Sequence, residues 1–125
     1  MKARKQPRAG PSPDVVAEFV YTEGRLFLSV RNIGPSPARS VVVRFKPAIR
    51  GAHGAFSRLR VFQGTAFLGP GRELKLFVDS AVAYFKSNQP KHVTIRVSWE
   101  DESGAAFSRT FEHDLEIYRD FPEAL

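Results

Sequence analysis

The residue types that do chemistry in proteins are thinly spread along this chain of 125 residues. His53, His92 and His113 lie in three separate segments, and none has a second histidine at the short spacing that holds a metal ion. Each reads as a surface or strand-end residue. Glu100-Asp101-Glu102 puts three acids side by side, whereas a dedicated calcium loop spaces its oxygen ligands, so this stretch reads as a solvated hairpin loop. No Gly-rich turn opens onto a helix to cradle a phosphate, and no serine sits in a strand-turn-helix elbow. Without a single cysteine there is neither a disulfide nor a thiolate site, and the redox compartment stays open. The sequence therefore assigns no catalytic residue, no metal and no cofactor, and it points away from an enzyme.

Charge is the more informative signal. The net charge of +6 is segregated. Residues 1–13 contribute +4 without an acid, residues 14–24 contribute −3, residues 25–75 contribute +9 with Glu73 as their only acid, and residues 76–125 contribute −4. Within the basic middle, Arg39, Arg44, Lys46, Arg50, Arg58 and Arg60 form a candidate polyanion patch. If Phe56–Phe62 is a strand, Phe56, Arg58, Arg60 and Phe62 share an outward face. Basic and aromatic side chains interleaved in that way suit single-stranded nucleic acid or an anionic lipid surface. In the competing reading, Phe56 and Phe62 tuck into the ends of the fold and the arginines protect an edge.

The elements that must position these residues are strands. In Leu26–Phe45, Leu26, Leu28 and Val30 alternate with polar positions, Gly34, Pro35 and Pro37 interrupt any ladder, and Val41, Val43 and Phe45 resume the alternation. Asn32 is placed to hold that turn with its amide. Further strands are expected at Val15–Tyr21, Phe56–Phe62, Arg72–Asp79, His92–Trp99 and Ala105–Tyr118. Ser80–Pro90 is the one long connection, with a helical turn over Ala81–Phe85. Trp99 shares a face with Val93, Ile95 and Val97 and belongs in the core. Seven short strands at this spacing predict an all-β, immunoglobulin-like sandwich of two antiparallel sheets. The domain is expected over 14–119, between a disordered basic tail (1–13) and a short C-terminal tail (120–125).

The core registers have a consequence for the outer surface. If Leu26, Leu28 and Val30 point inward, and Leu74, Leu76 and Val78 likewise, then Phe27 and Phe77 point outward, because strand side chains alternate. In an immunoglobulin-like order strands two and five are neighbours, so the two rings lie side by side. Val16 and Val20 extend them into a candidate interface, which the Ala81–Phe85 segment, a second copy or a neighbouring domain would cover.

The run Leu26, Leu28, Val30, Asn32-Ile33-Gly34, Ala38, Val41, Val43 and Phe45 resembles bacterial and archaeal immunoglobulin-like domains of the CARDB type. Leu68-Gly69-Pro70-Gly71 before a strand is similar to the turn those domains carry at the same place. The resemblance spans roughly 14–118 and implies a seven-stranded spacer or adhesive module with no catalytic residues.

These observations together lead to a non-catalytic interaction or spacer module, one part of a larger protein or assembly. Its expected partner is a protein or a neighbouring domain, with a weak homodimer possible. The alternative is a polyanion binder for nucleic acid or an anionic membrane surface, working through 39–60 and the basic tail. No apolar run reaches the ~20 residues of a membrane helix, and no signal-peptide core follows the basic N-terminus. The compartment is open between cell envelope and cytoplasm.

Overall fold

Alternating apolar residues build two sheets in the computed structural model, which describes residues 11–121. β1 (Val15–Thr22), β2 (Arg25–Asn32) and β5 (Glu73–Ser80) form one sheet in the order β1-β2-β5. β3 (Ala38–Lys46), β4 (Gln63–Leu68), β6 (His92–Glu100) and β7 (Ala106–Asp114) form the other, in the order β4-β3-β6-β7. Every pairing is antiparallel. The protein is thus an all-β, immunoglobulin-like sandwich, with its fourth strand attached to the third rather than to the first sheet.

The inward registers are the expected ones. Leu26, Leu28 and Val30 of β2, Val41 and Val43 of β3, and Val93, Ile95, Val97 and Trp99 of β6 are all buried in one core. Trp99 stacks on Phe107 of the neighbouring strand, with ring centroids 5.9 Å apart. α1 (Ala81–Lys86) is capped by Ser80, whose hydroxyl accepts from the Ala83 N–H, and it drives Ala81 and Tyr84 into the core. The Tyr84 hydroxyl, fully buried, donates to the Pro90 carbonyl at 2.6 Å.

Asn32 does more than hold its own turn. Its side chain is buried, and Oδ1 accepts from the backbone N–H of Asp14 (3.1 Å) and Gly34 (2.9 Å). Nδ2 donates to the carbonyls of Ser36 (2.8 Å) and Leu68 (3.0 Å). One amide therefore joins the entry to β1, the β2–β3 turn and the end of β4, which lie in different sheets. Gly34 is required at the same spot, since a Cβ there would lie 2.4 Å from the Ser12 carbonyl oxygen. Of the tail expected over 1–13, Pro13 is buried and so belongs to this corner of the domain. Residues 1–10 lie outside the described residues, as do 122–125 of the expected C-terminal tail, whose Phe121 packs on Tyr21 and Tyr118.

Three segments depart from the sequence reading. Phe56–Phe62 is not a strand but two 3-10 turns, Phe56–Arg58 and Arg60–Phe62, and the fourth strand begins only at Gln63. The cause is burial. Phe45, Phe56 and Phe62 pack as a ring cluster with centroids 5.2–5.9 Å apart. Burying a phenylalanine is worth about 1.5–3 kcal/mol, more than one edge-strand hydrogen bond supplies. The final strand likewise stops at Asp114, whose carboxylate caps a 3-10 turn over Leu115–Tyr118 that buries Leu115. Asp101, expected in a solvated loop, is buried: its Oδ1 accepts from the N–H of Ser103 (2.9 Å), the hydroxyl of Ser103 (2.7 Å) and the N–H of Ala105 (2.9 Å).

Candidate functional site

The four-stranded sheet turns Val42, Arg44 and Lys46 of β3 outward, because Val41, Val43 and Phe45 face the core. On β6 the same parity presents Thr94, Arg96 and Ser98. The β3–β6 register sets Arg44 directly opposite Arg96, and Thr110 of β7 completes the row. Like charges directly opposite destabilise an antiparallel pair, and here the two heads lean to opposite sides, toward β4 and β7. Their hydrogen-bond partners here are neutral. Arg44 Nη1 donates to Gln63 Oε1 at 3.2 Å, and Arg96 Nη2 donates to Ser108 Oγ at 3.2 Å. Among the described residues neither guanidinium has an ion pair.

The rest of the expected polyanion patch is distributed around this row. Lys46 lies opposite Thr94 on the same face, and Arg39 lies opposite Glu100. Arg58 and Arg60 are exposed on the two 3-10 turns that lead into β4, while Arg50 sits in the loop after β3, its backbone N–H held by Gln89 Oε1. Phe56 and Phe62, which a strand would have set among the arginines, are in the core. Arg44, Lys46 and Arg96 are the basic residues that the sheet gathers. Arg96 lay outside the basic stretch in sequence, yet its outward parity on β6 was readable. That it faces Arg44 depends on the strand register.

The sheet supplies a different aromatic residue. Ala66 and Leu68 of β4 pair with Val41 and Ala38 and face the core, so Phe67 between them faces outward. It is 61% exposed, more than any other large apolar side chain among the described residues. The alternation Ala66-Phe67-Leu68 was the signal for it, hidden by the misplacement of the fourth strand.

The second candidate surface lies on the other sheet. Phe27 and Phe77 are direct partners in the β2–β5 register, with ring centroids 5.7 Å apart and interplanar angle 66°. Val20 is opposite Phe27 on β1, so Val20, Phe27 and Phe77 make one apolar row. Val16 is opposite Arg31 instead and stands away from that row. The cover over the rings comes from Lys75, whose Nζ is 4.8 Å from the Phe27 ring centroid, and from His53, 6.4 Å from Phe77. Phe77 remains 37% exposed.

The histidines are held by the fold individually. His113 Nε2 lies 3.1 Å from the Ala17 carbonyl oxygen; a carbonyl only accepts, so this nitrogen carries the proton. The ring packs edge-on to Phe19 at 5.4 Å. Burial lowers its pKa, opposed by the Ala17 bond and by the charge of Glu18. His92 Nδ1 is 3.7 Å from the Asp114 carboxylate at the surface, and His53 lies beside Phe77. Among the described residues no group of three or more His, Asp or Glu side chains converges in a way that would hold a metal ion.

No curated protein and no solved structure matches this chain. A family model described as a domain of unknown function does match, over residues 1–119, and the chain belongs to that family, DUF8453.

Proposed function

We propose that this protein is a non-catalytic binding module that holds an anionic partner against the outer face of its four-stranded sheet. The observation that carries the proposal is the Arg44–Arg96 pair, opposed across two strands with neutral hydrogen-bond partners. The two guanidiniums lean apart, Arg44 toward Gln63 on β4 and Arg96 toward Ser108 on β7, so an anionic chain laid across the sheet meets a cation on either side and accepts charge-assisted hydrogen bonds from each. Lys46 extends the positive strip along β3. The similarity of the Asn32-Ile33-Gly34 and Leu68–Gly71 turns to those of CARDB-type domains is in keeping with a non-catalytic module.

The test is retention on heparin. The wild type should bind at low salt and elute as salt rises, because each neutralised charge releases counterions. Arg44→Glu with Arg96→Glu should abolish retention while the circular dichroism spectrum is unchanged. Arg25→Glu with Arg72→Glu makes the same charge change at two exposed positions elsewhere and should leave most of the retention. If the two double variants elute together, the face has no special affinity for anions.

A second contact is supported by the Val20–Phe27–Phe77 row. An apolar row on a solvent-facing sheet suits a protein partner, a neighbouring domain or a second copy.

A further inference from the structure

We infer that the anionic partner is a single-stranded nucleic acid whose base stacks on Phe67; this rests on the anion-binding reading of the same face. Phe67 projects from β4, the edge strand of the sheet, onto the face that carries Arg44, Lys46 and Arg96. It lies opposite the bulged stretch Arg39–Ser40, since Ala38 pairs with Leu68 and Val41 with Ala66 on either side of it. From Ser40 to Arg44 is four residues of β3, at most ~13 Å at the rise of a strand and less where the bulge at Ser40 folds the chain. Among the described residues neither a ring nor a cation packs on Phe67. An exposed ring beside a positive strip is the combination that takes unpaired bases and their phosphates together.

The arrangement of acids on the same sheet separates this ligand from an anionic membrane. Glu100 lies opposite Arg39, and Glu112 and Asp114 lie on β7 opposite Thr94 and His92. A bilayer laid flat on the face would meet these carboxylates as well as the arginines. A strand following β3 and β4 meets Arg39, Arg44, Lys46 and Phe67 and passes by Glu112 and Asp114 on β7, while Glu100, in the row of Phe67, is matched by Arg39. A duplex keeps its bases stacked inside and offers none to the ring.

The experiment measures binding of a labelled twelve-nucleotide oligo-dT by fluorescence anisotropy at low salt, against a duplex of equal length and vesicles containing phosphatidylserine. The oligo-dT should bind more tightly than the duplex and more tightly than the vesicles. Phe67→Leu keeps an apolar side chain but removes the ring face, and it should weaken oligo-dT binding about ten-fold, the size of one lost stack. Its heparin retention and melting temperature should be unchanged, because the ring is outside the core. If Phe67→Leu binds oligo-dT like the wild type while Arg44→Glu with Arg96→Glu does not, stacking is refuted and the anion face stands. Preference for vesicles or duplex over oligo-dT overturns the single-strand assignment. Loss of heparin and oligo-dT binding alike in the wild type overturns both readings.

Discussion

Replacing Asn32 with Asp changes one NH₂ group into an oxygen at constant volume, so no cavity opens for water. The two N–H groups of Asp14 and Gly34 still find an acceptor. The carbonyls of Ser36 and Leu68, 2.8 and 3.0 Å from Nδ2, would instead face a second carboxylate oxygen. The cost is bounded on both sides. Losing two neutral donors costs about 2 kcal/mol at roughly 1 kcal/mol each. Keeping the carboxyl protonated at pH 7, against an unfolded value of about 3.9, costs about 4 kcal/mol, plus about 1 kcal/mol for the donor still missing. The Asp14 and Gly34 N–H groups favour the anion and pull the result toward the lower bound. The Asp14 carboxylate itself is engaged by Arg109 at 2.7 Å. A loss of about 2–5 kcal/mol corresponds to a fall in melting temperature of roughly 10–20 °C. The pH dependence has a definite sign. A folded pKa raised above the unfolded one means the folded state holds the proton more tightly, so stability falls as pH rises between the two values. Thermal melts of both proteins at pH 7, 6 and 5 should show the variant recovering toward the wild type on acidification. A variant that melts within about 3 °C of the wild type at pH 7, with no pH-dependent gap, would refute the role assigned to the amide.

Burial of Tyr84 raises the pKa of its phenol well above the ordinary value, so ultraviolet titration should show at least one of the three tyrosines failing to ionise near pH 10 while the protein is folded. Because that folded pKa is raised, stability should fall as pH climbs past the unfolded value of about 10, and Tyr84→Phe should remove this part of the alkaline loss. Phe27→Ser with Phe77→Ser should preserve the fold at a cost of about 1–3 kcal/mol in urea titrations, since the pair lies on the solvent face and only its mutual contact and partial cover are lost. If the row contacts a second copy, the same variant should also lose the wild type's self-association in sedimentation; a double variant that unfolds would place the rings in the core.

Local chemistry in the sequence determined a good deal of this protein. Period-two alternation in β2, β5 and β6 set which side chains point inward, and through parity it also placed Phe27 and Phe77 outside. The Gly-Pro turn and Asn32 marked the β2–β3 corner, and the helical turn over Ala81–Phe85 was legible as well. These features depend only on neighbours a few residues away. Phe56–Phe62 shows where local reading stops. Its alternation of aromatic and basic residues suits a strand, but the rings gain more by meeting Phe45 in the core than a strand gains on an edge, and that trade is visible only in three dimensions. The same displacement moved the fourth strand to Gln63–Leu68 and so put Phe67, rather than Phe56 or Phe62, on the outer surface. Parity alone sends Arg44 and Arg96 outward. Their placement opposite each other on β3 and β6 requires the register of two strands some fifty positions apart in the chain, which only tertiary pairing decides.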